Sequence, residues 1–353
     1  MQVSLIPSID INSDLGIVNT ARVSLNKQSS FIHIEPSTCI PTCNPETNLT
    51  HWTLNANDIK LINYLARYNH WTPFAHSRLY FEIAWKSQYD ELVFYRNYNP
   101  GGFSIVNTDS NSLIKGSLYS WIRALNALPW RLADYIGYQI RLQYPIASRV
   151  LSDIGIDNFG YLHGGLEVPE QLVFTRQLWK LATVTLRIKV PIFIARQIRT
   201  SQVGIAYSDL YVESESFVYN EVSRRYVNDK PEFYTIDQWR TRKGSNVKQG
   251  STGLLDNPTI AQIGKEWIQE LEEKRDEFYA YANTCSIAPE QSRAYLTQNM
   301  YTEFYMTGTL HRFAQFLKLR LDSHVQQETQ DIATLIKGVL ISNYPEWAQE
   351  YKL

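Results

Sequence analysis

What the chain has little of narrows its class before any motif is read. Three cysteines in 353 residues, Cys39, Cys43 and Cys285, are too few and too unevenly spaced for a disulfide framework. No apolar run approaches the ~20 residues that a membrane-spanning helix needs. The opening MQVSLIPSIDINSD has no basic stretch followed by an apolar one, so no secretory signal is expected. Thirty-four Lys and Arg against 35 Asp and Glu leave a net charge of −1. Without a cationic excess the chain has no general means of neutralising a phosphate backbone, which argues against a nucleic-acid coat and leaves room only for a local basic pocket. The expectation is a globular, cytoplasmic protein with neither nucleic acid nor membrane as partner.

Hydrophobic residues make up 44% and charged residues 20%, an ordinary globular balance. Aromatics reach 13%, with 23 Tyr and 9 Trp, side chains suited to cores, interfaces and nucleotide pockets. The length predicts about two domains or one enlarged one. Periodicity predicts a helix over IKLINYLARY, capped at Asn57-Asp58, and a strand over 79–85. NTDSNS (107–112) reads as a polar loop, and the aromatic stretch from Leu113 to Leu151 reads as helical. VTLRIKVPIFIARQ (184–197) reads as a buried strand and 231–253 as surface loop. Helices are expected over 260–283, 289–296, 305–321 and 323–342, the last capped by Ser323. Residues 86–175 read as an insertion subdomain, dividing the chain into 1–85, 86–175 and 176–353.

Polar chemistry concentrates in a few places. Gln197 ends the expected strand. Glu221, Ser223, Arg224 and Arg225 lie together, and Arg293 and Arg320 sit on later helices. Guanidinium forks match phosphate and carboxylate oxygens, and a Ser hydroxyl with neighbouring N–H groups completes an anion cradle. The plainer reading of the same residues is a surface salt-bridge network. Cys39 and Cys43, with His33 and His51 nearby, have a C-x₃-C spacing that invites zinc, but no repeated pair accompanies it and no metal is expected.

Six stretches in order carry a resemblance. TARVS (20–24), TPFAH (72–76), VPIFIARQ (190–197), YNEVSRRYV (219–227), EQSRAYL (290–296) and YTEFYMTGTLHRFAQFLKLRLDSHVQQE (301–328) together resemble flavin-dependent thymidylate synthases. The resemblance implies an α/β (α+β) core with a mostly helical C-terminal half, here carrying an inserted helical subdomain. It implies a homotetramer that binds FAD and converts dUMP to dTMP, with methylenetetrahydrofolate as carbon donor and NADPH as reductant. By the same resemblance Gln197, Glu221, Ser223, Arg224, Arg225, Arg293 and Arg320 are dUMP ligands. Arg320 is also the catalytic residue, favouring ionisation of the uracil ring. Ser24, His70, Thr72, Glu221, Thr309, His311 and Gln315 fall at flavin positions, as does the segment Arg199, Thr200, Ser201, Gln202 and Val203.

That last segment departs from the family, whose Arg-His-Arg triplet is replaced by Thr200, Ser201 and Gln202. Arg199, just upstream, is the cation that could stand in. A second departure is SDLYVESESFV (208–218), which brings Asp209, Glu213 and Glu215 between segments that nearly abut in the family. If it folded inward it would repel an anionic substrate. The rival reading is therefore a dUMP-binding homologue that has lost catalysis and serves as a scaffolding subunit. None of the three cysteines matches the Pro-Cys-His nucleophile of the unrelated cysteine-dependent synthases.

Overall fold

The chain begins with strand β1 (Gln2–Ile6), helix α1 (Asp14–Arg22) and a 3-10 turn (Val23–Leu25). The two-residue strands β2 (Ile32–His33) and β3 (Trp52–Thr53) pair with each other. Helices α2 (Ala56–Arg67) and α3 (Thr72–His76) lead into β4 (Arg78–Ala84), β5 (Phe103–Asn107) and β6 (Asn111–Ser117). Then come α4 (Leu118–Ala124), α5 (Trp130–Gln143) and α6 (Pro145–Asp153). The second half runs β7 (Thr183–Pro191), α7 (Ile192–Arg199), β8 (Tyr207–Ser208), β9 (Tyr211–Glu213) and β10 (Val218–Glu221). A hairpin of β11 (Arg240–Arg242) and β12 (Ser251–Leu254) precedes α8 (Pro258–Thr284) and α9 (Pro289–Ser292). β13 (Tyr301–Thr309), α10 (Leu310–Arg320), α11 (Gln327–Asn343) and α12 (Pro345–Tyr351) complete it. This computed structural model describes residues 1–6, 12–25, 27–30, 32–33, 52–84, 103–107, 111–125, 130–155, 182–200, 207–208, 211–213, 217–226, 229–242 and 251–353.

Two antiparallel sheets organise these elements. The first has the order β1-β7-β13-β10, with β10 on its edge. Side chains alternate across it. Leu186 and Ile188 of β7 and Phe304 and Met306 of β13 face one core, which α7, α10, α11 and α12 close with Ile198, Phe313, Phe316, Ile336 and Trp347. The opposite face is polar at its centre. There Thr185 and Thr307 share a hydrogen bond of 2.7 Å, and Thr307 Oγ1 meets Nδ1 of the buried His76 at 2.7 Å. The second sheet has the order β4-β6-β5-β9-β8. It packs with α1 to α6 around a second core, where the fully buried Trp121 meets Phe81 and Phe103 edge-on at 4.8 and 4.7 Å.

Local chemistry explains where the helices start. Ser13 caps α1 through Gly16 N, and Asn55 caps α2 through the amides of Asn57 and Asp58. The cap of α2 therefore lies two residues before the expected Asn57-Asp58. Asp58 instead faces inward and accepts from Arg22 Nε at 2.8 Å. Asp14 caps α6 from across the core, its two oxygens accepting from Ile146 N and Ala147 N at 3.0 and 2.8 Å. Burial outweighs those bonds and pushes its pKa up to about 6.

Several expected elements change type. The run 184–197 is strand only as far as Pro191, and Gln197 rides on helix α7 rather than ending a strand. A continuous apolar run does not distinguish buried strand from helix. The same ambiguity hid β13, which occupies the first part of the helix expected over 305–321. The helical stretch expected from Leu113 opens as strand β6, and Asn107 and Asn111–Ser112 of the expected polar loop lie in β5 and β6. The last long helix is capped at Gln326, not Ser323, and 231–253 contains the β11–β12 pair. The acidic stretch after Arg199 contributes β9, whose Tyr211, Val212 and Glu213 pair with Val106, Ile105 and Ser104 of β5. Asp209 and Glu215 lie outside the described residues, as do Cys39, Cys43 and His51 of the zinc reading.

Candidate functional site

The edge strand β10 and the ends of α7 and α10 meet at one corner of the first sheet. Tyr219 and Glu221 alternate onto the face covered by α7 and α10, and Asn220 turns to the other. Arg199, the last residue of α7, forms an ion pair with Glu221 and lies over the Tyr219 ring at 5.6 Å. The second Glu221 oxygen accepts from Thr302 Oγ1 at 2.6 Å. Thr200, one residue on, caps α7 and returns its hydroxyl to the Arg196 carbonyl at 2.9 Å. At this junction Arg199 is thus the residue turned towards β10.

The Tyr219 hydroxyl is buried and has no hydrogen-bond partner among the described residues. Burial raises its pKa, opposed by the charges of Arg199, Arg312 and Arg320. An unpaired buried donor is costly on its own, so a phenol held among three guanidiniums is suited to an incoming acceptor, above all an anion. Arg320, at the end of α10, donates to the Gln197 carbonyl at 3.0 Å, and burial lowers its pKa against the opposing effect of Tyr219. Asp322 bonds His324 at 2.8 Å. The Gln197 side chain joins a chain of its own, donating to Gln326 Oε1 at 2.6 Å and accepting from Thr329 Oγ1 at 2.8 Å.

The turn after β10 carries the remaining clustered residues. Ser223 N donates to Ser24 O at 3.0 Å, and Ser24 Oγ reaches Asn220 Oδ1 at 3.5 Å. Arg225 Nε donates to Ser223 Oγ at 3.2 Å, whereas Arg224 turns away to Asp229 at 3.0 Å. Ser24, Ser223 and Arg225 are thereby brought together at the turn after β10. His70 and Thr72 flank the start of α3, and the His70 ring stacks on exposed Tyr64 at 5.8 Å.

The other expected residues sit apart or have other partners. Thr309 is buried and caps α10 through Arg312 N at 3.1 Å. His311 accepts from Gln315 Nε2 at 2.7 Å on Nε2, which leaves Nδ1–H to donate to Tyr351 Oη at 2.8 Å. Arg293 lies in an exposed 3-10 turn (Arg293–Tyr295) after α9. Ser201, Gln202 and Val203 lie outside the described residues. Sequence reasoning did not single out Tyr219, Thr302, Gln326 or Glu328, although all four stand in or beside the quoted stretches. Arg240, which bonds Glu328 at 2.5 Å, fell in a segment read as loop and carried no signal.

Comparison with known proteins gives the chain a family. The family model described as thymidylate synthase complementing protein matches residues 175–346. A flavin-dependent thymidylate synthase of Thermosipho africanus is 30% identical over 193 residues, covering 54% of this chain and 73% of that protein. The enzyme of that name from Treponema denticola is 29% identical over 217 residues, 58% of this chain and 72% of its own. For one from Thermus thermophilus the figures are 29% over 171 residues, 48% and 57%, so the chain spans little more than half of that relative's length. With the sheet, the arginine corner and these similarities in hand, the chain belongs to the family of flavin-dependent thymidylate synthases.

Proposed function

We propose that the chain methylates dUMP to dTMP, with FAD as resident cofactor, methylenetetrahydrofolate as carbon donor and NADPH as reductant. The observation that carries this reading is the Tyr219 hydroxyl, buried among the charges of Arg199, Arg312 and Arg320 and without a hydrogen-bond partner among the described residues. Such a donor set suits a nucleotide anion. Carbon 5 of uracil is a poor nucleophile until negative charge builds in the ring. Arg320 stabilises that charge without giving up its own proton, and Gln197, tied to it, orients the pyrimidine. Ser223 and Arg225 hold phosphate and sugar oxygens. Ser223 acts as a ligand rather than a nucleophile, since among the described residues its hydroxyl meets Arg225 and no His-Asp pair. Arg224 and Arg293 complete the dUMP set.

Ser24, His70 and Thr72 fit a flavin in donor chemistry, as does Arg199, and Thr200, Ser201, Gln202 and Val203 belong to the same proposed flavin set. His311 and Gln315 take part by exchanging their present bonds. When bound, reduced flavin supplies the hydride, while the chain orients the reactants and excludes water.

A homotetramer in the cytoplasm is part of the proposal. α8 carries exposed Trp267 and Leu271 beside a cleft of about 710 Å³ lined by Ile236, Trp239 and Ile268, an apolar surface that assembly would cover. Among the described residues no helix is long and apolar enough to cross a membrane.

The test is the visible spectrum of the purified protein. Flavin bands that bleach with NADPH and return when dUMP and methylenetetrahydrofolate are added, with dTMP formed, support the enzyme. A colourless protein that ignores FAD but binds dUMP supports the second reading, a non-catalytic scaffolding subunit. That reading is favoured by one observation, the Arg199 charge already met by Glu221.

A further inference from the structure

Glu328 lies within the first turn of α11 and is 4% exposed. Its Oε1 accepts from Arg240 Nη2 at 2.5 Å and its Oε2 from Gln326 Nε2 at 2.9 Å. Burial pushes its pKa up, but the bonds from Arg240, its own amide and Gln326 bring it below the ordinary carboxylate range, so the group is ionised. A carboxylate has no proton to give. Gln326 must therefore turn its NH₂ to Glu328 and its carbonyl the other way. That carbonyl accepts from Gln197 Nε2 at 2.6 Å, which commits the Gln197 NH₂ to this side and leaves its Oε1 to the Thr329 hydroxyl at 2.8 Å. The direction of each amide follows from the one before it.

We propose that Glu328, held by Arg240, is a positioning residue that dictates which end of the Gln197 amide a bound pyrimidine nucleotide meets. The proposal rests on Gln197 being a dUMP ligand. Arg320 donates to the main-chain carbonyl of this same residue, so the guanidinium assigned to the uracil ring lies beside the residue whose amide the relay orients. Arg240 lies on the β11–β12 hairpin, where its Nε also donates to Ser251 Oγ at 3.0 Å. A hairpin outside the quoted stretches thereby sets the polarity of a substrate contact.

Glu328→Gln tests this cleanly, because it reverses the relay without breaking it. The new amide gives its carbonyl to Arg240 and its NH₂ to Gln326. Gln326 and Gln197 then both turn over, and Thr329, a hydroxyl, accepts instead of donating. Every bond survives: Arg240 donates as before, and the bonds from residue 328 through Gln326 and Gln197 to Thr329 have their sense inverted. Gln326→Glu added to Glu328→Gln moves the carboxylate one step along the relay, and Gln197 regains its original direction. The readouts are the melting temperature and the dUMP dissociation constant by titration calorimetry.

The expected result is a roughly tenfold weaker dUMP affinity in Glu328→Gln at unchanged melting temperature, with most of the loss recovered in the double variant. A merely structural role predicts that the second substitution adds to the damage. Should the single variant lose stability, recovery of binding in the double variant still decides the matter. The inference is overturned if the single variant binds dUMP as the parent does, or if the double variant binds no better than the single. A parent protein that takes up no dUMP overturns the functional reading and this inference together. Binding that ignores both variants overturns the inference alone.

Discussion

Arg199 and Glu221 form an ion pair that joins the end of α7 to the end of β10. The two side chains are 46% and 30% exposed, so solvent screens the pair and its contribution to stability is small, about 0–1 kcal/mol. Arg199→Met should leave the denaturation midpoint almost unmoved. If the guanidinium also neutralises the flavin phosphates, FAD affinity should fall by roughly tenfold or more. Titration of the variant with FAD checks this, and unchanged affinity would remove Arg199 from the flavin site.

Tyr219→Phe should separate a ligand contact from a structural one. The hydroxyl has no partner among the described residues, so its removal should leave the unliganded protein equally stable or up to ~1 kcal/mol more stable. The stabilisation gained on adding dUMP should shrink in the variant. Thermal unfolding with and without dUMP measures both. A variant that loses stability without ligand and keeps the full dUMP effect would contradict the assignment.

Asp14 and His76 give the stability opposite dependences on pH. The Asp14 carboxyl is raised from 3.8 to about 6, so the folded protein keeps a proton that the unfolded chain has released. Its contribution is full below about 3.8 and is lost as pH rises through 6, with a slope of at most ~1.4 kcal/mol per unit. His76 is lowered by burial from 6.5 to about 3, so its contribution is full above 6.5 and is lost as pH falls towards 3. Asp14→Asn should cost stability at one amide of α6 yet remove the decline between pH 4 and 6. His76→Gln should flatten the acid side. Denaturant titrations at several pH values test both signs.

Gly308 is fixed by contact rather than by backbone conformation. A Cβ there would run into the Phe217 ring, which packs on Phe313 at 4.9 Å. Gly308→Ala should therefore cost about 1–3 kcal/mol. Gly338→Ala, in open space on α11, should instead gain up to ~1 kcal/mol. Equal effects at the two positions would refute the packing argument.

Much of the C-terminal half was legible because its helices are amphipathic and its motifs are dense. The helix expected over 260–283 is α8 to within two residues at its start and one at its end. The failures have a common cause. β7 and β13 lie at the centre of a sheet and are buried on both faces for much of their length, so β13 shows little of the alternation that marks a strand. In the candidate site, Arg199 could be picked out because it borders a quoted stretch, VPIFIARQ, and is the basic residue beside it. Arg240 could not, because its role depends on a pairing across the fold with Glu328, which leaves no local pattern.

The pairing of β9 with β5 has a consequence for the order in which the molecule assembles. Tyr211–Glu213 reach their place only by closing a loop of roughly a hundred residues, a slow and entropically expensive step. Helix α7 and the turn after β10 form from near neighbours in sequence and need not wait for it. Strand β9, which lies between them in sequence, takes its place late, on a template laid down far upstream. Strand β5 is therefore more than a neighbour of β9: it is the mould against which Tyr211–Glu213 set.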